Sequence, residues 1–364
     1  MKNKFEILPK IPQFLLFRKF SFPKMLPLNL TVSVSYHCNS RCKTCNVWKK
    51  KTREFTFEEF DKTFASIGTS PYWLTLSGGE PFLRHDIVDI CSSAYHHFEP
   101  GIINIPTNGI LYNTIPKQVE EIIENCPESQ IIVNLSIDGI GENHDLIRGV
   151  KENFEKSLKT FDALSKLDYP NFSLGIHTVI SRYNVHEIPQ IYNYFKEKHP
   201  DSYITEIAEE RVELDTIGAN ISPSPEEYEK AIDFLIDAAS HESYSGISGI
   251  TRAFRMEYYS HVKEVLRKRQ QILPCYAGFA SAQIAPDGDV WTCCVRAEPI
   301  GNLREVDYDF KKIWFNERAR KQRASIKNKE CYCPLANAHY TNMLCDAGTL
   351  LKVGRRCLSG SHKN

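Results

Sequence analysis

Short β-rich runs alternate with helical segments between Leu28 and Ala208, and this alternation restricts the possible folds more than any other feature of the sequence. Repeated βα units favour parallel strands joined by right-handed crossovers. Reactive residues are then expected on the loops that follow the strands. The predicted strands are Leu28–Ser35, Tyr72–Leu76, Ile102–Thr107, Ile131–Ser136, Phe172–Ile180 and Tyr203–Ala208.

Helical periodicity fills the segments between these strands. The first helix is the clearest, because Thr56 and Glu59 form a capping box and Phe60, Phe64 and Ile67 recur at helical spacing. The predicted helices are Thr56–Ile67, Ile87–His97, Pro116–Asn125, Asn153–Lys166 and Glu187–Lys198. The predicted fold class is α/β, a partial (β/α)6 TIM-like barrel.

The pattern changes after a turn-rich break at Ser222–Pro225. Helices are predicted at Pro225–Ser240 and Arg252–Gln271, with a Gly/Ser-rich stretch, Ser243–Gly249, between them. A hairpin turning at Pro286–Asp289, a helix near Phe310–Ser325 and several cysteines follow, which indicates a small α+β cysteine-rich C-terminal domain. The predicted division is 1–27 as an arm, 28–224 as the core domain, 225–271 as a helical linker, 272–346 as the cysteine-rich domain and 347–364 as a tail.

Charge and hydropathy exclude some classes of protein. Lys and Arg number 45, as do Asp and Glu, so the basic excess of a typical nucleic-acid binder is missing. No apolar run is long enough to span a bilayer. Basic residues interrupt the apolar residues of the first 30 positions, so we expect no signal peptide and a cytoplasmic protein. That segment is expected to pack on the domain as an arm, or alternatively to lie on a membrane surface.

Most of the twelve cysteines fall into two groups, and this grouping in a long chain is typical of metal ligation in a reducing compartment. The first group, Cys38, Cys42 and Cys45, follows the first predicted strand as C-x3-C-x2-C. Three thiolates can hold a [4Fe–4S] cluster and leave one iron open for a substrate. A structural zinc site would need a fourth ligand, and His37 points away from Cys38 in an extended strand.

The C-x3-C-x2-C array and its position resemble the defining motif of the radical SAM superfamily. The resemblance implies a [4Fe–4S] cluster bound by the three cysteines together with S-adenosylmethionine (SAM). Members of that family cleave SAM reductively to methionine and a 5′-deoxyadenosyl radical. One departure is Thr44, where the family often has an aromatic residue near the adenine.

A second motif, Ser77-Gly78-Gly79-Glu80-Pro81, ends the second predicted strand. Glycines allow the backbone to approach a ligand, and a carboxylate can bind an ammonium group; a turn with a solvent-facing Glu80 is the alternative. The motif resembles the family's GGEP loop, which binds the SAM amino group.

Other loops agree with this resemblance, and Ser136-Ile-Asp138 resembles the family's ribose- and carboxylate-binding position. Arg148 is expected to pair with the SAM carboxylate. His177 and Glu206 face either the site or solvent. The cofactor-binding residues that the resemblance implies are Ser77, Gly78, Gly79, Glu80, Asn108, Ser136, Asp138 and Arg148.

The second cysteine group, with its hairpin and its Gly301-Asn302-Leu303 segment, resembles the SPASM and twitch extensions that hold auxiliary iron–sulfur clusters. A full SPASM domain has seven spaced cysteines and two clusters, whereas the long gap from Cys333 to Cys345 favours one. Cys275, Cys293, Cys331 and Cys333 are the preferred ligands, with Cys345 and Cys294 as substitutes. Zinc bound by four cysteines is the alternative.

The remaining cysteines stand alone in the sequence. Cys91 and Cys126 are predicted to be core thiols, and Cys357 is predicted to lie in a loose basic tail.

The resemblance implies a radical SAM enzyme that abstracts hydrogen from a substrate, with a peptide or protein favoured over a lipid or another small molecule. It also implies a reductant such as flavodoxin or ferredoxin. No catalytic acid or base is singled out by its spacing. Two other classes remain open: a non-catalytic electron carrier and a zinc-stabilised binding protein.

Overall fold

A computed structural model describes residues 7–240 and 246–360 and contains a nine-stranded sheet. The strands are β1 Asn29–Ser35, β2 Trp73–Gly78, β3 Ile102–Thr107, β4 Gln130–Ser136, β5 Phe172–Ile180, β6 Ser202–Ile207, β7 Ser281–Ile284, β8 Asp289–Trp291 and β9 Pro299–Asn302. Their order is β6-β5-β4-β3-β2-β1-β7-β8-β9.

Thirteen α-helices lie within the described residues. They are α1 Ile11–Phe20, α2 Phe57–Ile67, α3 Ile87–Phe98, α4 Ile115–Asn125, α5 Glu142–Arg148, α6 Asn153–Leu164, α7 Ile188–Lys196, α8 Pro225–Ser240, α9 Gly246–Lys268, α10 Phe310–Trp314, α11 Glu317–Lys327, α12 Ala336–Leu344 and α13 Ala347–Gly360.

The partial barrel is confirmed, and so are its six predicted strands. Strands β1 to β6 are all parallel, and the sheet does not close, because β6 is an edge and the second neighbour of β1 is β7. Strand β7 also runs parallel to β1, and the antiparallel strands β8 and β9 continue from it. The cysteine-rich region therefore extends the barrel sheet rather than forming a separate one, which the sequence did not indicate.

The two faces of the sheet differ in polarity. On β1, Leu30, Val32 and Val34 join the main apolar core, while Thr31 and Ser33 alternate with them and point to the other face. The interior of a closed TIM barrel is usually filled by branched apolar side chains. A polar face is suited instead to binding a ligand.

Three details of the second half differ from the prediction. Residues 246–249 of the Gly/Ser-rich stretch belong to α9, whereas 243–245 lie outside the described residues. The helix near Phe310–Ser325 is interrupted after Trp314, where Asn316 caps the start of α11. Residues 347–360 of the predicted tail are not loose, because they form α13, which buries Val353, and Arg356 Nε donates to Glu257 Oε1 at 2.6 Å.

The N-terminal arm packs on the C-terminal part of the chain. Ile11, Phe14 and Phe17 of α1 form an apolar cluster that includes Tyr276 and Phe279. The rings of Phe17 and Phe279 meet edge to face, with centroids 5.6 Å apart. Among the described residues, no helix combines the length and the apolar character needed to cross a membrane.

Candidate active site

The loop after β1 carries Cys38, Cys42 and Cys45, and all three are half-buried. Burial, together with the neighbouring charges of Cys42 and Cys38, raises the pKa of the Cys45 thiol to about 12. Such electrostatic coupling requires the three sulfur atoms to be near one another. Burial also raises the pKa of Cys38, and binding to iron would stabilise the thiolates of Cys38 and Cys45.

Nitrogen donors surround these sulfurs, as expected for ligands of an iron–sulfur cluster. The Ser40 N–H donates to Cys38 Sγ at 3.4 Å, and Arg148 Nη1 donates to Cys42 Sγ at 3.6 Å. Within the described residues, no three His, Cys, Asp or Glu side chains are grouped closely enough to hold a single metal ion. Half-buried thiols that accept hydrogen bonds from nearby nitrogen donors are suitable cluster ligands, so the residues present fit a cluster.

Helix α5 fixes the conformation of the cysteine loop. The N–H groups of Arg41 and Lys43 donate to the carbonyls of Arg148 and Ile147, both at 2.8 Å. Gly149 follows with a φ of 68°, and a Cβ there would overlap the Arg41 carbonyl. The short α5 was not predicted, because its seven residues carry a weak helical pattern.

The two glycines after β2 allow the second motif to pack against the cysteine loop. The Gly79 N–H donates to Ser35 O at 2.7 Å, and the Glu80 N–H donates to His37 O at 2.8 Å. A Cβ on Gly79 would overlap the His37 carbonyl, and Gly78 has a φ of 123°. Glycine is therefore required at both positions.

Glu80 lies beneath this contact and is 1% exposed, so the solvent-facing alternative is wrong. Its carboxylate accepts hydrogen bonds from Thr107 Oγ1 at 2.7 Å, Asn108 N at 2.8 Å and Phe82 N at 3.3 Å. Burial raises the pKa of Glu80 to about 7. An adjacent ammonium group would stabilise the carboxylate charge.

Asn108 links the loop after β3 to the cysteine loop. Its Nδ2 donates to Asn39 Oδ1 at 2.7 Å and lies 3.9 Å from Cys38 Sγ. The predicted cofactor residue is thus placed beside the first cysteine.

Asp138 and Arg148 form a buried ion pair, with Oδ2 and Nε 2.8 Å apart. Asp138 Oδ1 also accepts from Val179 N at 2.9 Å. The predicted role of these residues in binding the SAM ribose and carboxylate stays a prediction. Ser136 pairs in register with His177 on β5, and both residues are half-buried at the same end of the sheet.

A segment after β6, residues 209–216, connects the two cysteine regions. The Leu214 carbonyl accepts from Asn46 N at 2.9 Å, next to Cys45, and the Val212 N–H donates to Val295 O at 3.4 Å. This segment cannot be identified from the sequence, since it contains no recognisable spacing of functional residues.

Charged side chains line the segment that follows β6. Glu206 Oε1 lies 3.6 Å from Arg211 Nη2 rather than in solvent, and Glu213 Oε2 lies 3.9 Å from Arg211 Nη1. Burial raises the pKa of Glu209 to about 7. Arg211 Nη1 also lies 3.8 Å from Cys294 Sγ, which connects β6 to the C-terminal cysteines.

The four preferred C-terminal cysteines line one cavity between α9, α12 and the loops around them. They are Cys275, Cys293, Cys331 and Cys333. Four thiolates can occupy all four irons of a cluster, in contrast to the three of the first loop.

The two substitute cysteines lie outside this cavity. Cys345 is buried in the apolar cluster of α1 with Phe14 and Tyr276, and Cys294 packs with Trp291 and Leu335. Cys345 therefore packs as an apolar residue rather than with the other cysteines of the predicted site. Cys91 and Cys126 are core thiols, as predicted, and Cys357 lies on α13.

Residues 32–195 match the family model of the Radical SAM superfamily, and residues 275–334 match that of SPASM, an iron–sulfur cluster-binding domain. Together these two matches cover more than half of the chain and include both cysteine groups except Cys345. The chain therefore belongs to the radical SAM superfamily and carries a SPASM domain. It is an enzyme of the class that uses a [4Fe–4S] cluster, SAM and auxiliary iron–sulfur centres.

Two curated relatives align over most of the chain. The AdoMet-dependent heme synthase of Methanosarcina barkeri is 26% identical, and the alignment covers 81% of this chain and 82% of the relative. The antilisterial bacteriocin subtilosin biosynthesis protein AlbA of Bacillus subtilis is 24% identical, with 85% of this chain and 66% of the relative covered.

A solved structure shares the fold. Native anSMEcpe with bound AdoMet and the Cp18Cys peptide superposes with a TM-score of 0.59 at 18% identity, covering 93% of this chain and 100% of that chain. At this identity the similarity concerns the fold alone.

Proposed function

We propose that this radical SAM enzyme modifies a peptide or protein. The observation that carries the proposal is the segment 209–216, which contacts the loops of both cysteine sites and presents charged side chains between them. An extended polar substrate can be held there by hydrogen bonds and ion pairs. The name of the relative AlbA and the peptide bound to the structural neighbour support this substrate class.

The roles of the individual residues in the first site are part of this proposal. Cys38, Cys42 and Cys45 would hold the cluster with one iron open to SAM. When bound, that cluster supplies the electron that cleaves SAM to methionine and a 5′-deoxyadenosyl radical, which takes hydrogen from the substrate. Glu80 would bind the SAM amino group, with Gly78 and Gly79 allowing its close approach. Polar contacts would come from Ser77, Asn108, Ser136, Asp138 and Arg148.

The second site would hold one auxiliary cluster through Cys275, Cys293, Cys331 and Cys333. Its four protein ligands leave no open iron, so it would carry electrons rather than bind SAM. A small reductant such as flavodoxin or ferredoxin would supply electrons to the enzyme. The proposed boundaries remain 28–224 for the radical SAM core and 272–346 for the auxiliary domain.

The substrate class is tested with an extract of the source cells, from which small molecules have not been removed, added to cluster-loaded enzyme, SAM and dithionite. We expect the extract to increase 5′-deoxyadenosine formation, and we expect this increase to disappear when the extract is first digested with immobilised proteinase K. An increase that survives digestion would contradict a peptide substrate. It would instead support a small molecule, the class suggested by the name of the heme synthase relative.

We also propose that the protein is cytoplasmic and that its N-terminal arm binds an anionic membrane surface. Helix α1 buries Phe14 and Phe17, while Phe20 and Phe22 are 63% and 75% exposed. Leu15 and Leu16 are exposed beside them, and no acidic residue occurs between Glu6 and Glu54. The exposed apolar side chains can enter the acyl boundary of a bilayer. The flanking Lys10, Lys19 and Lys24 can pair with its anionic headgroups.

Co-sedimentation with vesicles tests this contact. The full chain should pellet with phosphatidylglycerol vesicles, and replacing Phe20 and Phe22 by Ser should abolish pelleting. The matched control, Leu351→Ser, removes an equally exposed apolar side chain from α13 and should have no effect. Failure of the unaltered chain to pellet would exclude the membrane contact, and equal pelleting with phosphatidylcholine would exclude the role of the lysines.

A further inference from the structure

His339 is a buried imidazole on the wall of the cavity that contains the four C-terminal cysteines. It is 4% exposed, and its Nε2 has no hydrogen-bond partner in the described part of the chain. A buried polar nitrogen without a hydrogen-bond partner is unfavourable, and it calls for an explanation such as a bound group or a redox role.

The surroundings of His339 hold the ring in place. Tyr258 and His261 of α9 pack against it, with ring centroids 5.7 Å and 5.5 Å away. The Tyr258 hydroxyl donates to Pro334 O at 3.0 Å, which ties α9 to the chain directly after Cys333. The imidazole is therefore positioned before any group enters the cavity.

Helix α12 presents a second polar residue to the same cavity. Asn342 lies three residues after His339, on the same side of the helix, and both line the cavity. Its Oδ1 accepts from Tyr276 N, next to Cys275, at 2.7 Å. On the opposite side of α12, Asn337 Nδ2 donates to Thr31 Oγ1 of β1 at 2.8 Å, which anchors the helix to the barrel sheet.

We propose that His339 is a positioning residue that donates its Nε2–H to a sulfur of the auxiliary cluster and so raises the reduction potential of that cluster. A hydrogen bond to sulfur stabilises the additional negative charge of the reduced cluster. The inference rests on the proposal that the four cysteines of this cavity hold a cluster. It does not depend on the identity of the substrate.

The test measures the reduction potential of the auxiliary cluster by a redox titration that is monitored by electron paramagnetic resonance. The chain used for it has Cys38, Cys42 and Cys45 replaced by Ala. Only the auxiliary cluster then contributes to the signal. His339→Phe keeps the ring but removes the N–H, and His339→Gln keeps an N–H donor. The matched control is His261→Phe, because His261 is an equally buried imidazole that packs on His339 but does not line the cavity.

We expect His339→Phe to lower the ratio of reduced to oxidised cluster about tenfold at a fixed potential, which corresponds to about 59 mV for a one-electron couple. His339→Gln should recover most of this change, and His261→Phe should leave the potential unaltered. An unaltered potential in His339→Phe would overturn the proposal. Loss of about four irons in that variant would also overturn it, because His339 would then be a ligand.

If the triple cysteine variant does not fold, the single His339 variants are titrated in the unaltered chain, where the auxiliary signal is the one that added SAM does not perturb. Failure of the peptide proposal would not change either result, because no substrate is present in the titration.

Discussion

Glu80 and Gly79 show how closely the two loops of the candidate SAM site depend on single residues. Gly79 lets the backbone of one loop donate to Ser35 of the other, and Glu80 is then enclosed beneath the contact with three hydrogen-bond donors. The carboxylate is nearly inaccessible to water and its pKa is raised to about 7. A bound ammonium group would provide the positive charge that compensates the buried carboxylate.

Replacing Glu80 by Gln should weaken SAM binding at least about tenfold without removing the cluster, because it removes the charge and keeps the size of the side chain. The measurement is anaerobic equilibrium dialysis of SAM against cluster-loaded protein, with iron determined in the same sample. Glu155→Gln, at an exposed position of α6, is the control and should bind SAM normally. Unchanged affinity in Glu80→Gln would contradict the proposed role.

The cysteine motif and the glycine–glutamate motif could be identified from the sequence, because the residues of each motif lie within a few positions of one another. Cys38, Cys42 and Cys45 are recognisable by spacing, as are Gly79 and Glu80. The charged residues after β6 could not be identified in this way. Arg211 meets Cys294 across 83 positions of the chain, and no local pattern records such a contact.

At the scale of elements, Glu59 connects α2 to the C-terminal region. Arg304, just after β9, donates through Nε to Glu59 Oε1 at 2.6 Å and through Nη2 to Oε2 at 2.8 Å. Tyr308 donates to the same carboxylate at 2.9 Å, and Thr56 N completes the capping box at 2.9 Å. The Arg304 guanidinium holds the pKa of Glu59 at about 2, well below its ordinary 4.5.

Glu59→Gln should lower the free energy of unfolding by about 2 kcal/mol at pH 7, because Arg304 loses its charged partner. The folded pKa lies below the unfolded one, so the charged carboxylate stabilises the protein above pH 4.5. This stabilisation is lost as the pH falls through 4.5 towards 2. Thermal unfolding of Glu59→Gln and of the unaltered chain is measured from pH 7 to pH 3. The difference between their unfolding midpoints should become smaller as the pH falls.

The control for this series is Glu317→Gln, which breaks the exposed ion pair with Arg320 on α11 and should leave the unfolding midpoint unchanged. The charge-based explanation would be contradicted if the unfolding midpoints of Glu59→Gln and of the unaltered chain differed by the same amount down to pH 3.

The elements with strong periodicity were predictable, and the ones held by tertiary contacts were not. The capping box of α2 is visible in the sequence and present in the structure. The sequence of helix α13 predicts a loose tail, because nothing in its basic sequence indicates the contact of Arg356 with Glu257. Helix stability of this kind comes from packing rather than from propensity.

At the scale of the whole molecule, one sheet joins the two cysteine sites. Strand β1 leads into the first cysteine loop and pairs with β7, and the hairpin that follows β7 leads to Cys293. The strand order could not be read from the sequence, because parallel pairing of β1 with β7 joins residues about 250 positions apart.

Iron content tests how many clusters this architecture holds. The reconstituted chain should contain about eight irons, and Cys333→Ala should reduce the number to about four. Cys345→Ala is the matched control, because Cys345 lies outside the cavity and its loss should leave about eight irons. About twelve irons in the unaltered chain would contradict a single auxiliary cluster, and loss of iron in Cys345→Ala would contradict its apolar role.

The most direct test of the central claim is the formation of 5′-deoxyadenosine by anaerobically reconstituted protein given SAM and dithionite. We expect 5′-deoxyadenosine and methionine in equal amounts from the unaltered chain. The Cys42→Ala variant, reconstituted so that its auxiliary site carries a cluster, should give neither product. A cluster-replete, reduced chain that binds SAM but yields no 5′-deoxyadenosine would contradict the assignment as a radical SAM enzyme.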